Sequence, residues 1–436
     1  MKRKWILFFC LLCLFIAPAA LASGGGPNLR VGLVAGQFSA EVESEGKIRI
    51  AGSGSSQVLA PGRHFISVKK GVLYADSKKL RGTRVSVSAV DAKKPVRINH
   101  RSYRGSLTAV LNAGGRNLSI VNTLPVEEYL YGVVAKEVMP LWPDEAIKAQ
   151  AVAARSFALW HLDHSQYEGF DIKATDMGQV YGGIEAEHAN TTKLVDATRG
   201  IVATYDGEPI QAFFHSCSGG YTESAGEVWS KDVPYLKAVV DYDQDAPNYS
   251  WTKSFTQVQL ERILSQAGYQ LGSLQGIRVS ALGKAPLKWS ADRGTSGRVK
   301  RIVFRGSKGS ATLTGSKVRT LLGLNSTLFD VYIGTDTPQE LDVLITNSYG
   351  YPVTDKKIEL GTKQDKRGNA VGDLHLFSGV PGEKVSFVGG GWGHGVGLSQ
   401  WGARGMALSK QARRKKDYYR IILAHYYQGI SIEKLY

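Results

Sequence analysis

The stretch that most constrains the fold runs "LPVEEYLYGVVAKEVMPLWPDEAIKAQAVAARSFALWHLDH", residues 124–164. Pro125 followed by Glu127 and Glu128 reads as a first helical turn, because proline has the right φ and acids favour the positive end of the helix dipole. The apolar-rich pattern runs to Glu137 and stops before Pro140, since a residue preceding proline avoids the α region. A second helix starts at Pro143-Asp144-Glu145 and runs to about His164. Its body carries Ala146, Ala149, Ala151, Ala153, Ala154 and Ala158, which permit close packing. Two helices must therefore meet at a short junction, and an ionisable group, Glu137, stands at that junction.

Upstream, residues from about 28 to 121 read as β. Short alternating runs (Lys47-Ile48-Arg49-Ile50, Phe65-Ile66-Ser67-Val68, Val85-Ser86-Val87-Ser88) are separated by Gly, Ser, Asn and Pro turns. Downstream, residues from about 176 to 250 mix loops and strands. A region from about 254 to 335 predicts a helix at Gln257–Gln266, strands near Ile277–Ser280 and Val299–Phe304, and a short helix at Ser316–Leu322. Residues 336–384 are polar and turn-rich. Then come "VGGGWGHGVGLSQWGARGMA" and a terminal helix, Asp417–Tyr427. The expected class is α+β: a β-rich region at 28–121, a mixed core whose helices carry the site at 122–253 and 385–436, and an inserted α+β docking lobe at 254–335. Arg298, Lys300 and Arg301 are expected on the outside of that lobe, where they could help hold a long glycan or an anionic wall polymer.

At 436 residues and 43% hydrophobic, the chain can build real cores in two or three units. Met1-Lys2-Arg3-Lys4, the apolar run Trp5–Ala17 and Ala20-Leu21-Ala22 predict a signal peptide over residues 1–22, with an uncleaved membrane anchor as the alternative. The formal charge of +16 becomes +13 without Lys2, Arg3 and Lys4. An exported basic protein meets wall polymers and lipid headgroups rather than nucleic acid. The expected location is the cell envelope. Beyond residue 22 only Cys217 remains, which excludes an intramolecular disulfide, and no Cys-x-x-Cys or His-x-x-x-His pair offers a structural metal site.

Four features could carry chemistry. Glu137 lies at the negative end of its helix among Val133, Val134 and Val138, which should raise its pKa and suit it to general acid work. A solvated Glu at a frayed helix end is the alternative. Lys148 and Arg155, seven apart, share a helix face and could form a basic stripe or simply a solvated one. "FFHSCSGGYTES" (213–224) reads as a Cys/His nucleophile or, better, as a buried inert Cys217. "GGGWGHGVGLSQWG" (389–402) has alternating glycines that allow a ligand close to the backbone, yet it lacks the Gly-Lys-Ser/Thr of a phosphate loop. Trp229, Trp392 and Trp401 are candidate sugar-stacking faces and equally candidate core.

Taken together, these segments resemble the SpoIID/LytB family, named for a sporulation protein and an amidase enhancer. The carrying residues are "LPVEEYLYGVVAKEVMP" (124–140), "EAIKAQAVAARSFAL" (145–159), "GQVYGG" (178–183), "FHSCSGGYTES" with "VWSKDVPYLKAVVD" (214–241), "GWGHGVGLSQWGARGMA" (391–407) and the closing "ILAHYYQGISIEKLY". The resemblance implies a lytic transglycosylase acting on peptidoglycan glycan strands, particularly peptide-stripped ones, or alternatively a non-catalytic enhancer of a cell-wall amidase. It implies Glu137 as the catalytic acid, and Lys148, Arg155, Gln179, Tyr181, Ser216, Trp229, His394 and Gln400 as substrate-binding residues. Sporulation members bind zinc through a His-Cys pair just before "QVY". Here Asp176-Met177-Gly178 stands there, so no metal or other cofactor is expected.

Overall fold

The computed structural model describes residues 26–175, 179–288, 290–334, 340–346, 352–359, 374–379 and 383–436. The expected signal peptide and Asp176-Met177-Gly178 lie outside these residues, as does much of 336–384. The fold is α+β, with eight described helices and several sheets. No helix among the described residues is long and apolar enough to cross a membrane.

The N-terminal part packs two sheets around a core of Val42, Ile48, Ile50, Ile66, Val85, Val87, Ile98 and Ile120. Alternation decides which side chains enter: Ile48 and Ile50 are buried while Lys47 and Arg49 are exposed. The strand Leu118–Pro125 pairs with Asn28–Gln37 and with Ser106–Leu111. It then runs directly into helix α1, Val126–Glu137. The division expected between 121 and 122 thus falls inside a strand. On the far side of Asn28–Gln37 the sheet gains Ile172–Lys173, so both parts share one sheet.

Helix α2 spans Asp144–His164. Helix α3 (Ala189–Ala197) and the five-residue α4 (Ala225–Trp229) follow. Next come α5 (Gln257–Gln266) and α6 (Gly315–Leu322), then α7 (Gln400–Leu408) and α8 (Tyr419–Tyr426). Helix α2 is wrapped by α1, α3, α7, α8 and the strand Ile201–Tyr205. Ala149, Ala151, Ala153, Ala154 and Ala158 are fully buried. A helix apolar nearly all round belongs inside a domain, and its small side chains let five neighbours approach.

Helices α5 and α6 cover strands from 274 to 331 around a different core, built on Leu260, Ile277, Ile302, Phe304, Phe329 and Phe387. Ala151 and Ala158 belong to the α2 core instead. The strand Lys384–Gly390 pairs with Ser250–Thr256 on one side and Phe329–Gly334 on the other, then delivers the glycine-rich motif to the α2 core. Within the polar region, Glu340–Thr346 and Pro352–Glu359 form a hairpin.

Candidate active site

Glu137 is the last residue of α1. The next residue, Val138, turns extended (φ −132°, ψ 154°), so the chain leaves the helix before Pro140. The Glu137 side chain is half-buried. The Val180 N–H donates to its Oε1 at 3.2 Å, and Gln400 Nε2 donates to its Oε2 at 3.1 Å. Each donor comes from a segment remote in sequence. The 180–183 loop can cross α1 because Gly132 has no side chain: a Cβ there would stand 2.7 Å from the Tyr181 ring and 2.9 Å from the Gly183 carbonyl. Gln400 opens α7, whose first turn is capped by Ser399 Oγ accepting from Gly402 N–H at 3.1 Å. The preceding strand Leu398–Ser399 lies parallel to Phe214–His215, which fixes where α7 starts. Among neutral donors, a backbone N–H and a primary amide hold both carboxylate oxygens in one orientation.

Several expected substrate contacts are buried and bonded within the fold. Arg155 is fully buried: its Nε and Nη2 meet Glu127 Oε1 and Oε2 at 2.9 and 2.8 Å, and Nη1 reaches the Ile201 carbonyl at 3.0 Å. It cannot form a basic stripe with Lys148, because α2 is enclosed at Arg155. Lys148 remains near the surface, pairs with Glu145 at 2.7 Å and lies over the Tyr419 ring. Tyr181 is buried, its hydroxyl donating to Asn122 Oδ1 at 3.2 Å and its ring against Tyr103 and Tyr129. Gln179 turns inward, donating to the Ala154 carbonyl at 3.2 Å. Gln400 is buried and its amide donates to Glu137. Arg298, expected on the outside of the lobe, is 2% exposed and donates to the Ser218 carbonyl at 2.8 Å. Lys300 pairs with Glu227 at 2.7 Å, and Arg301 donates to the Ala291 carbonyl at 2.8 Å.

Trp229 and His394 pack together, and Ser216 lies beside α7. Trp229 is 41% exposed and packs against Phe213 (4.5 Å) and His394 (5.2 Å). Ser216 is half-buried, and its carbonyl accepts from Trp401 N–H at 3.0 Å. Burial, then Arg298 and Arg319, push His394 down to about 3. Burial likewise pushes His215 well down, with His394 and Arg298 adding to it, so both rings are neutral at pH 7. Cys217 is fully buried and pushed up to about 12 by burial, which removes the thiolate a nucleophile needs.

The alternating glycines of 389–397 do not leave room for a ligand. The protein's own chain fills it: a Cβ at Gly391 would stand 2.6 Å from the Ser218 carbonyl oxygen, and one at Gly393 2.8 Å from His215 Cβ. Below that loop, Asp243 accepts from the N–H groups of Ser218, Gly219 and Gly220 at 2.6, 2.8 and 2.9 Å. Asp241 accepts from Tyr426 Oη at 2.6 Å and from Ser218 Oγ. The Gly-Gly turn is thereby locked to α8. A cleft of ≈ 870 Å³ borders Val180 and is lined by Lys173, Thr175, Asn99 and Glu41. A second, of ≈ 690 Å³, lies between α4 and residues 291–301. Glu137 lines neither.

Residues 114–205 match the family described as Stage II sporulation protein, SpoIID. Stage II sporulation protein D of Bacillus subtilis (strain 168) is 31% identical over 330 residues, covering 72% of this chain and 76% of the relative. This chain belongs to the SpoIID family. An uncharacterized protein of Brachyspira hyodysenteriae is 32% identical over 77% of this chain and 73% of its own. A Bacillus subtilis protein named Amidase enhancer is 26% identical over 85% of this chain and 50% of its own. The matched SpoIID residues contain Glu137, Lys148, Arg155, Gln179 and Tyr181, whereas Gln400 enters from outside them. Sequence reasoning missed Gln400 as a partner of Glu137, and missed Glu127 and the Asp241–Asp243 pair. Only the Val-Val-Asp-Tyr-Asp spacing hinted at the last, by placing two carboxylates on one side of an extended segment.

Proposed function

We propose that this SpoIID-family protein works on the cell wall as a lytic transglycosylase, cleaving peptidoglycan glycan strands that have lost their peptides. The reading is supported by one observation above all: Glu137 is half-buried at the end of α1, with its two oxygens held by Val180 N–H and by Gln400. Ordinary glycosidases need two carboxylates, one of them for a water or a covalent intermediate. A lytic transglycosylase needs one. Protonated Glu137 gives its proton to the glycosidic oxygen as the C1–O bond breaks. The muramyl 6-hydroxyl then bonds to C1 and returns its proton to the Glu137 carboxylate. The products are a free hydroxyl on the leaving sugar and a 1,6-anhydro-muramyl end, and no water is consumed. Trp229 and Lys148, both accessible, are assigned to holding the strand. Arg155, Tyr181 and Gln179 are left out of that role by their burial.

The test is product analysis. Peptide-stripped glycan should acquire anhydro-muramyl ends in mass spectra with the native chain and none with Glu137→Gln. The relative named Amidase enhancer favours a second reading, in which the chain raises the rate of an N-acetylmuramoyl-L-alanine amidase without cutting glycan. Anhydro ends absent with the native chain, together with faster amidase turnover, would establish that reading instead.

A further inference from the structure

Between α7 and α8 the chain carries "KQARRKKD", residues 410–417. Lys410, Arg413, Arg414, Lys415 and Lys416 are all exposed. Among the described residues none of the five forms an ion pair. Glu145 binds Lys148 and accepts from Tyr419 N–H at 2.7 Å, and Asp417 is half-buried. Five like charges within seven positions repel one another and disfavour a compact state. The fold nevertheless fixes this segment. Ala412 N–H donates to Ser409 Oγ at 3.2 Å, and Tyr418 Oη donates to Gln411 Oε1 at 3.3 Å. A charge cluster held in place against its own repulsion suits an anionic partner.

The segment is also continuous with the site. Helix α7 starts at Gln400, which touches Glu137, and ends at Leu408, just before the cluster. Nine helical residues rise about 13 Å. Trp401 lies along that path with its ring 5.0 Å from Trp142 and with Arg404 over its face at 5.2 Å. Helix α7 thus leads from Gln400, which donates to the Glu137 carboxylate at the end of α1, past Trp401 to a set of cations just beyond its own end. A polymer that repeats sugars and carboxylates matches that order.

We propose that Lys410–Lys416 is a secondary binding segment for the carboxylates of the glycan strand, beyond the bond that is cut. Removing a peptide frees the lactyl carboxylate of each muramyl residue, so a stripped strand carries regularly spaced anions. This inference rests on the glycan-cleaving reading for its choice of partner.

The experiment uses the full chain in a Glu137→Gln background, so that binding is read without turnover. Three probes are compared: peptide-stripped glycan, stripped glycan with its carboxyls reduced to alcohols, and vesicles of acidic phospholipid as a non-glycan polyanion surface. Changing all five cations to Gln should weaken binding of stripped glycan about tenfold, flatten its salt dependence, and leave carboxyl-reduced glycan unaffected. Exchanging Lys for Arg and Arg for Lys at the five positions should preserve binding. The inference is overturned if the five-Gln variant binds stripped glycan as tightly as its parent, or if acidic vesicles depend on the segment more than glycan does. The two readings separate cleanly: on short glycans the five-Gln change in an otherwise native chain should leave anhydro-end formation unchanged. If no anhydro ends form with the native chain while glycan binding still depends on the segment, the cleavage reading fails and the binding segment stands.

Discussion

The two ends of α1 carry a glutamate each, and they are built in opposite ways. Glu127, in the first turn, is fully buried and clamped by Arg155 through two hydrogen bonds. It also accepts from Tyr436 Oη at 2.8 Å and Gly200 N–H at 3.1 Å. Glu137, in the last turn, is half-buried, and the hydrogen bonds that hold it at 3.1 and 3.2 Å come from neutral donors. The dipole favours an anion at the first position and disfavours it at the second. The same residue type thus ties three distant segments together at one end, and at the other stays half-buried at the negative end of the dipole. Burial and partner choice separate the two carboxylates.

That contrast can be broken at either end. The largest effect is expected from Glu137→Gln, which should lower anhydro-end formation by about 100- to 10,000-fold while leaving the unfolding midpoint unchanged. Loss of stability with the activity would place Glu137 in the structural class. Arg155→Ala should destabilise the fold by about 3–5 kcal/mol, because it strands the Glu127 charge in the core. Chemical denaturation measures this, and replacing both partners by Met and Leu should cost less than the single change. Gln400→Ala should lower turnover by about tenfold with little change in glycan affinity, as expected for one hydrogen bond to a charged group. Equal losses in Km and turnover would assign Gln400 to substrate instead.

A pH-dependent effect concerns Asp243, pushed up to about 8 by burial first and then by Asp241 beside it. Folded protein then holds a proton that the unfolded chain has released above the usual carboxylate range near pH 4. Its contribution to stability is complete below that range and is lost as pH rises through about 8. Urea midpoints of the native chain should fall over that window, and Asp243→Asn should remove that part of the slope.

Much of the secondary structure around the site was readable. Pro125, Pro140 and Pro143 act within one or two residues of themselves, and α1 begins after Pro125 and ends before Pro140, and α2 begins after Pro143. Helix α5 likewise spans the residues expected, with Thr256 and Gln259 forming a capping box. Roles were harder to read than elements. Arg155 and Lys148 are indistinguishable by spacing, yet one is sealed beneath α3 and the strand at 201–205 while the other meets Glu145 near the surface. The glycines at 391 and 393 looked like room for a ligand, and the chain from 215 to 218 occupies that room.

Sequence alone determined the α+β class, the helix pair and the placing of Glu137 at a helix end, because propensity, proline geometry and alternation act over a few residues. Tertiary structure decided which polar groups face each other. Gln400 reaches Glu137 across 263 positions, and Tyr436 reaches Glu127 across 309. No local pattern encodes such pairs. They arise because α2, stripped to alanine, lets α1, α7 and α8 close around it, and side-chain burial is settled only when those surfaces meet.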